Sequence, residues 1–320
     1  MAYSQRLSAG IVQAVSRRIN ANLLYSYGYR YSLLVGRNLN APVNGVRPDP
    51  EFVNVVLASP DGRGRQHYVN ASMNVNLAAL GPQGGPPSGG GGPIMIGGGG
   101  GPMMVMMGGP GPAASTGKRW DWRRGLSVAG FYNYGRQYDN TDGAFSIPAS
   151  LNLADEWGPA AFDRRHNGNL SITSQALRNF SARLGVGGSS APPLTIRTGF
   201  DDNGDLVFND RPIGVGRNSA RTRGQWNSSA NFSYSFTLGK KQVTTGGGVQ
   251  IMGSPAGLTV NPTASQTQPR YRLNLAVNIQ NLFNQPVYSG FSSAMNSQFF
   301  LQPTRADGVR RVMFNANVSF

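Results

Sequence analysis

The chain has 320 residues and a net charge of +15, yet only 13% of its residues are charged and none is cysteine. Soluble domains usually carry about 25% charged residues, so polarity here rests on Asn, Ser, Gln and Gly, and the absent cysteines exclude disulfides, thiolate metal sites and cysteine nucleophiles. No run of about 18 apolar residues occurs, which excludes a transmembrane helix, and the opening "AYSQRLSAGIVQAVS" lacks the basic and apolar regions of a signal peptide.

From the first residues onward the period is two. A weak copy occupies 3–16. In 19–31, Ile19, Ala21, Leu23, Tyr25, Tyr27, Tyr29 and Tyr31 share one face, opposite Asn20, Asn22, Ser26 and Arg30. In 68–78, Val69, Ala71, Met73, Val75 and Leu77 alternate with Asn70, Ser72, Asn74 and Asn76. Weaker copies follow at 124–138, 166–178 and 180–199. The pattern sharpens again at 229–238, with Phe232, Tyr234, Phe236 and Leu238, and at 271–281, with Leu273, Leu275, Val277 and Ile279. The ending "RRVMFNANVSF" sets Val312, Phe314, Ala316, Val318 and Phe320 against Met313, Asn315, Asn317 and Ser319.

These are about nine strands, many of 10–15 residues. Sandwich strands are usually about 5–6 residues long, whereas a tilted strand crossing a bilayer needs about 9–11. An apolar face with ring residues near the strand ends, backed by an Asn- and Ser-rich face, predicts the lipid face, aromatic girdle and wet lumen of an antiparallel transmembrane β-barrel. A soluble barrel would have the opposite arrangement.

The connections predict an orientation. Ser16–Arg18 and Ala176–Asn179 are short; 33–62, 139–163, 200–224 and 284–309 are long and polar. Barrels place short turns in the periplasm and long loops outside, and strand parity then makes 310–320 run inward. Two long connections fall on the periplasmic side, 81–118 and 239–268, and a hairpin hidden in either would keep the parity. The first is a Gly/Pro-rich flexible insert, free of charge over 81–117. An odd strand count and a start at the outer side lead us to expect that residues 1–320 are the carboxy-terminal portion of one larger barrel domain, with plug and signal peptide lying elsewhere.

Chemistry is sparse. His67 and His166 stand apart with no G-x-S-x-G nearby, so no catalytic residues and no enzyme are expected. The basic residues do not cluster on any helix or short motif, which argues against nucleic acid. The loop "DEWGPAAFDRRHNG" (155–168) gathers Trp157, Asp163, Arg165 and His166 as candidate ligand contacts. The plainer and preferred reading is a loop that pins the barrel mouth through ion pairs, with the Trp at the membrane interface. In "FDDNGDLVFNDRP" (200–212), Asp201, Asn203 and Asp205 have the first spacings of a calcium loop, with Asp210 nearby. The closing carboxylate is missing, since Pro212 and Ile213 occupy that stretch. An Asx-rich turn is therefore preferred over bound Ca2+, and Asp210 and Arg211 are expected to form a local ion pair.

Several segments resemble a known family. "GRNLNAPVNGVRPDP" (36–50), "EWGPAAFDRRH" (156–166), "DDNGDLVFNDRPIGVGRNS" (201–219), "LNLAVNIQNLFNQPVYSGF" (273–291) and the final "RRVMFNANVSF" look like the carboxy-terminal barrel of Oar-like TonB-dependent receptors. The resemblance implies a 22-stranded barrel with an internal plug in the outer membrane of a Gram-negative bacterium, taking up large substrates. It implies outer-membrane lipid and the barrel-assembly machinery as partners, the latter reading Phe320 as a terminal signal. TonB would be reached only through upstream parts that this sequence does not contain. Two other readings stand beside it: an adhesin or secretion-linked barrel without transport, and a soluble, basic, β-rich binding protein.

Overall fold

The computed structural model describes residues 2–77, 120–244, 249–254, 257–262 and 266–319, together with the two-residue strands Ile94–Met95 and Val105–Met106. Nine long strands form its wall: β1 (Tyr3–Ser16), β2 (Ile19–Asn38), β3 (Val56–Asn76), β4 (Ser127–Asp139), β5 (His166–Ser174), β6 (Phe180–Ser189), β7 (Gln225–Thr244), β8 (Gln266–Gln280) and β9 (Arg311–Ser319). They pair antiparallel in the order of the chain, and the short strand Gly158–Pro159 beside β4 completes a 10-stranded sheet. The sheet is open. β1 and β9 each pair on one side only, and every residue of both is exposed.

Register turns the period-two pattern into two continuous surfaces, because side chains directly opposite each other share a face. One row runs Ile11, Leu23, Ala71, Tyr132 across β1 to β4. Another runs Val75, Val128, Ile172, Leu184, Ala230, Ile279, Val312 from β3 to β9. The reverse side carries Asn22 opposite Ser72, Asn70 opposite Asn133 and Asn133 opposite Asn167, then Asn231 opposite Asn278 and Asn274 opposite Asn317. One slip of a single residue would exchange the faces.

Burial follows the reverse of the soluble rule. Leu23 is 50% exposed, Leu170 51% and Phe314 78%, while Ser26 is 0% and Asn70 2% exposed. Among the described residues the buried hydrophobic side chains are only Val35, Ala160, Ala191 and Ala230. Each large apolar side chain left in water forgoes about 1.5–3 kcal/mol, so a sheet presenting rows of them needs an apolar solvent. Hydrogen bonds lace the polar face: Asn70 Nδ2 donates to Asn133 Oδ1, Asn231 Nδ2 to Asn278 Oδ1, and Arg6 to Ser26 Oγ at 3.2 Å, while Asn70 Oδ1 and the Tyr68 hydroxyl are buried without a protein partner.

The strand boundaries correct the sequence expectation in places. The anticipated loop 33–62 is strand at both its ends, because β2 reaches Asn38 and β3 begins at Val56, twenty and 21 residues long. Pairing continues there through register shifts at Arg30/Leu33 and Leu33/Val35, with Ser32 at φ 55°. These bulges break strict alternation and hide the strand from a period-two reading. Conversely, the anticipated strand 180–199 stops at Ser189, just before Pro192 and Pro193, which have no amide to donate. At the short-turn end, Asn179 adopts φ 64° in the turn from β5 to β6. Short ladders join Ile94–Met95 to Val105–Met106 and Val249–Ser254 to Gly257–Pro262, off the main sheet. Most of the Gly/Pro-rich insert 81–118, and Phe320, lie outside the described residues.

Candidate functional site

Charge is segregated by depth. Of the 14 acidic residues, all but Asp121 lie at the long-loop end, on loops or strand ends. Arginines from distant segments converge on them. Arg217, with its side chain 3% exposed, pairs with Asp139 and, at 2.6 Å, with Asp142. Its Nε donates to the carbonyl of Glu156 at 2.9 Å. Arg211 grips the Glu156 carboxylate through both terminal nitrogens, at 2.7 and 2.9 Å, while the amide of Ser150 donates to the same carboxylate at 2.8 Å. Arg221 pairs with the Asp163 carboxylate and donates to the Asp163 carbonyl at 2.6 Å. Bidentate, buried guanidinium–carboxylate contacts of this sort hold geometry, and leaving one partner alone is costly.

The loops are tied to one another as well. Arg47 donates to the carbonyl of Gly204 and Asn54 to that of Asp205, each at 2.9 Å. Asn209 Nδ2 donates to the carbonyl of Ile147 at 2.7 Å, and Thr141 Oγ1 to that of Leu34 at 2.7 Å. Asn296 reaches Gly199 at 2.9 Å, beside a parallel bridge between Arg197 and Ala294. Gly158 is required where the 155–168 loop crosses Arg217, since a Cβ there would sit 2.3 Å from the Arg217 carbonyl oxygen. The four long connections thus form one interlocked cap.

The residues singled out by sequence do not converge. Asp163 is 1% exposed and accepts the amide of Gln137 at 2.9 Å. Arg165 lies 3.8 Å from it. Trp157 and His166 instead sit on the apolar side. The Trp157 ring stacks on Tyr138 with centroids 6.3 Å apart, and His166 Nδ1 meets the Tyr132 hydroxyl at 2.6 Å. His67, placed well inside β3 and not at its start, makes the same contact with Tyr25 at 3.0 Å.

The loop with calcium-like spacing is a web of turns. Asp201 accepts the amide of Leu206 at 3.0 Å, Asn203 that of Asp205 at 2.9 Å, and Asp205 that of Val207 at 2.7 Å. Asp210 accepts the amide of Asp202 at 2.8 Å. Among the described residues no three His, Asp or Glu side chains come together as a metal site. Burial raises the Asp210 carboxyl above the usual aspartate value against the pull of its amide donors, and the charges of Asp205 and Asp202 add to the rise. The expected Asp210–Arg211 pair does not form, because Arg211 is engaged by Glu156.

Taken together, the apolar outer face, polar inner face and single capped rim define an open antiparallel sheet matching part of an outer-membrane transporter barrel. The structure is similar to that of the outer membrane transporter YddB from Escherichia coli, with a TM-score of 0.51 at 11% sequence identity. The match covers 99% of this chain and 32% of the transporter, so the chain spans about a third of the length of that relative. No family model and no curated protein matches the chain.

Proposed function

We propose that this chain forms part of the wall and outer mouth of an outer-membrane transporter of a Gram-negative bacterium, of the TonB-dependent, Oar-like kind that its loop segments resemble. The carrying observation is the inversion of burial: Leu170 and Phe314 face outward while Asn70 and Ser26 are enclosed. Lipid would meet the first surface, and the second, lined by Asn, Ser and Arg side chains, would border the path of a large polar substrate. The interlocked loops would form the surface that a ligand meets first, and Phe320 would serve assembly.

The test uses the full-length protein in its own cells. We expect it in the outer-membrane fraction, heat-modifiable on gels, and cross-linkable to TonB. If it remains soluble without detergent, the barrel reading fails and a basic β-rich binding protein takes its place. Outer-membrane location without any TonB cross-link would overturn the transport reading in favour of an adhesin or secretion-linked barrel.

A further inference from the structure

The apolar face carries two arginines that the barrel reading alone does not explain. Arg65 on β3 and Arg136 on β4 point to that face, because His67 lies directly opposite Arg136 and Arg65 directly opposite Tyr138. Both are exposed. Among the described residues neither guanidinium has a carboxylate or hydrogen-bond partner. What each has is a ring: Arg65 lies 5.9 Å from the centroid of Trp157, and Arg136 5.9 Å from that of Tyr134. Cation–π contact orients a guanidinium without using its N–H donors. A charge on a lipid-facing surface is costly unless it reaches the interface and finds a counter-charge.

Both arginines sit at the loop end of the wall, within a belt of rings that marks the interface. Tyr3 stacks on Tyr31 at 5.4 Å, and Tyr27 packs against His67 at 4.9 Å. Below them, toward the turn end, lies a shallow groove of about 830 Å³ crossing several strands. Its walls include Leu23, Met73, Leu170 and Val186, with Tyr132 and Trp226 on the side nearest the belt. The groove exists because Gly130 and Gly168 lie in it, bordering Leu170 and Tyr132.

We infer that this face, if the barrel reading holds, is a docking site for a phosphorylated lipid of the outer leaflet, with phosphate held by Arg65 and Arg136 and acyl chains laid in the groove. Arginine suits the role, since its planar donors match phosphate in a bidentate manner. The choice of an anionic lipid over a zwitterionic one follows from charge: Arg65 and Arg136 are diagonal neighbours on that face of β3 and β4, and among the described residues neither has a carboxylate partner.

The experiment takes the full-length protein into lipid nanodiscs and measures binding of diphosphorylated lipid A, with phosphatidylcholine and inorganic phosphate as separate arms. Lipid A is expected to bind the wild type and not to be displaced by millimolar phosphate. The R65Q/R136Q pair should weaken it by about tenfold or more, while R65K/R136K, which keeps the charge but loses the bidentate fork, falls between the Gln pair and the wild type and R178Q, at the opposite rim, changes nothing. Equal binding of phosphatidylcholine, or undiminished binding by the Gln pair, would overturn the site. Competition by free phosphate would reduce it to a simple anion site. Failure of the wild type to enter nanodiscs would count against the barrel reading itself, whereas insertion without lipid preference removes this proposal alone.

Discussion

Arg217 is where three distant parts of the chain meet. Its guanidinium satisfies carboxylates on both sides of the β4 end and a backbone carbonyl on the 155–168 loop. With the arginine 3% exposed and Asp139 12%, removing the cation leaves the buried carboxylate with Arg30 alone, 3.9 Å away, and such breaks cost up to about 3–5 kcal/mol. Arg217→Met is expected to leave the strands in place and to loosen the cap, seen as new protease cleavage between residues 140 and 220 in intact membranes. Unchanged cleavage would remove Arg217 from its assigned role. The sequence pointed to ion pairs in the 155–168 loop but not to their partners. The partners lie 61 to 78 positions apart, and period says nothing about such distances. Adjacency misled as well. Asp210 and Arg211 are neighbours, yet the aspartate turns back to its own loop's amides while the arginine reaches Glu156. The Asx turns of 201–210 were readable, because Asp and Asn bond locally to backbone in a way that composition announces.

At the scale of elements, the nine strands were readable because each presents an alternation to two different solvents, sharp in β2, β3, β7, β8 and β9 and weaker in the other four. The ends were not, because bulges shift the alternation where a ribbon twists. The β2–β3 hairpin is the plain case. Gly62 sits opposite Leu33 at the bulge, where an added Cβ would lie 2.7 Å from the Leu33 carbonyl oxygen. Gly62→Val should therefore unpair the outer part of the hairpin, Val35–Asn38 with Val56–Ser59, and leave the pairing of Tyr25 with Val69 intact. Amide exchange on the reconstituted protein checks this. Fast exchange confined to residues 33–62 is the expected result, and wild-type protection there would refute the steric account.

For the whole molecule, the inverted faces make a prediction that the absence of native cysteine renders clean. Single cysteines at Asn74 and Asn315, on the polar face, should react with a membrane-impermeant thiol reagent in the open barrel. Those at Met73 and Phe314, one residue earlier on the same strands, should resist it and be quenched by lipid-phase probes instead. A labelling pattern without period two along β3 and β9 would overturn the assignment of faces. The sequence carried this level most fully, since solvent preference is written at every second residue and needs no knowledge of contacts.

The β2–β3 hairpin has its own consequence. Its tip is moored, through Arg47 to Gly204 and through Asn54 to Asp205, to a loop that leaves the wall four strands away. A ligand that displaces that tip must therefore break or carry those two hydrogen bonds with it, so that the two connections respond to contact as one unit.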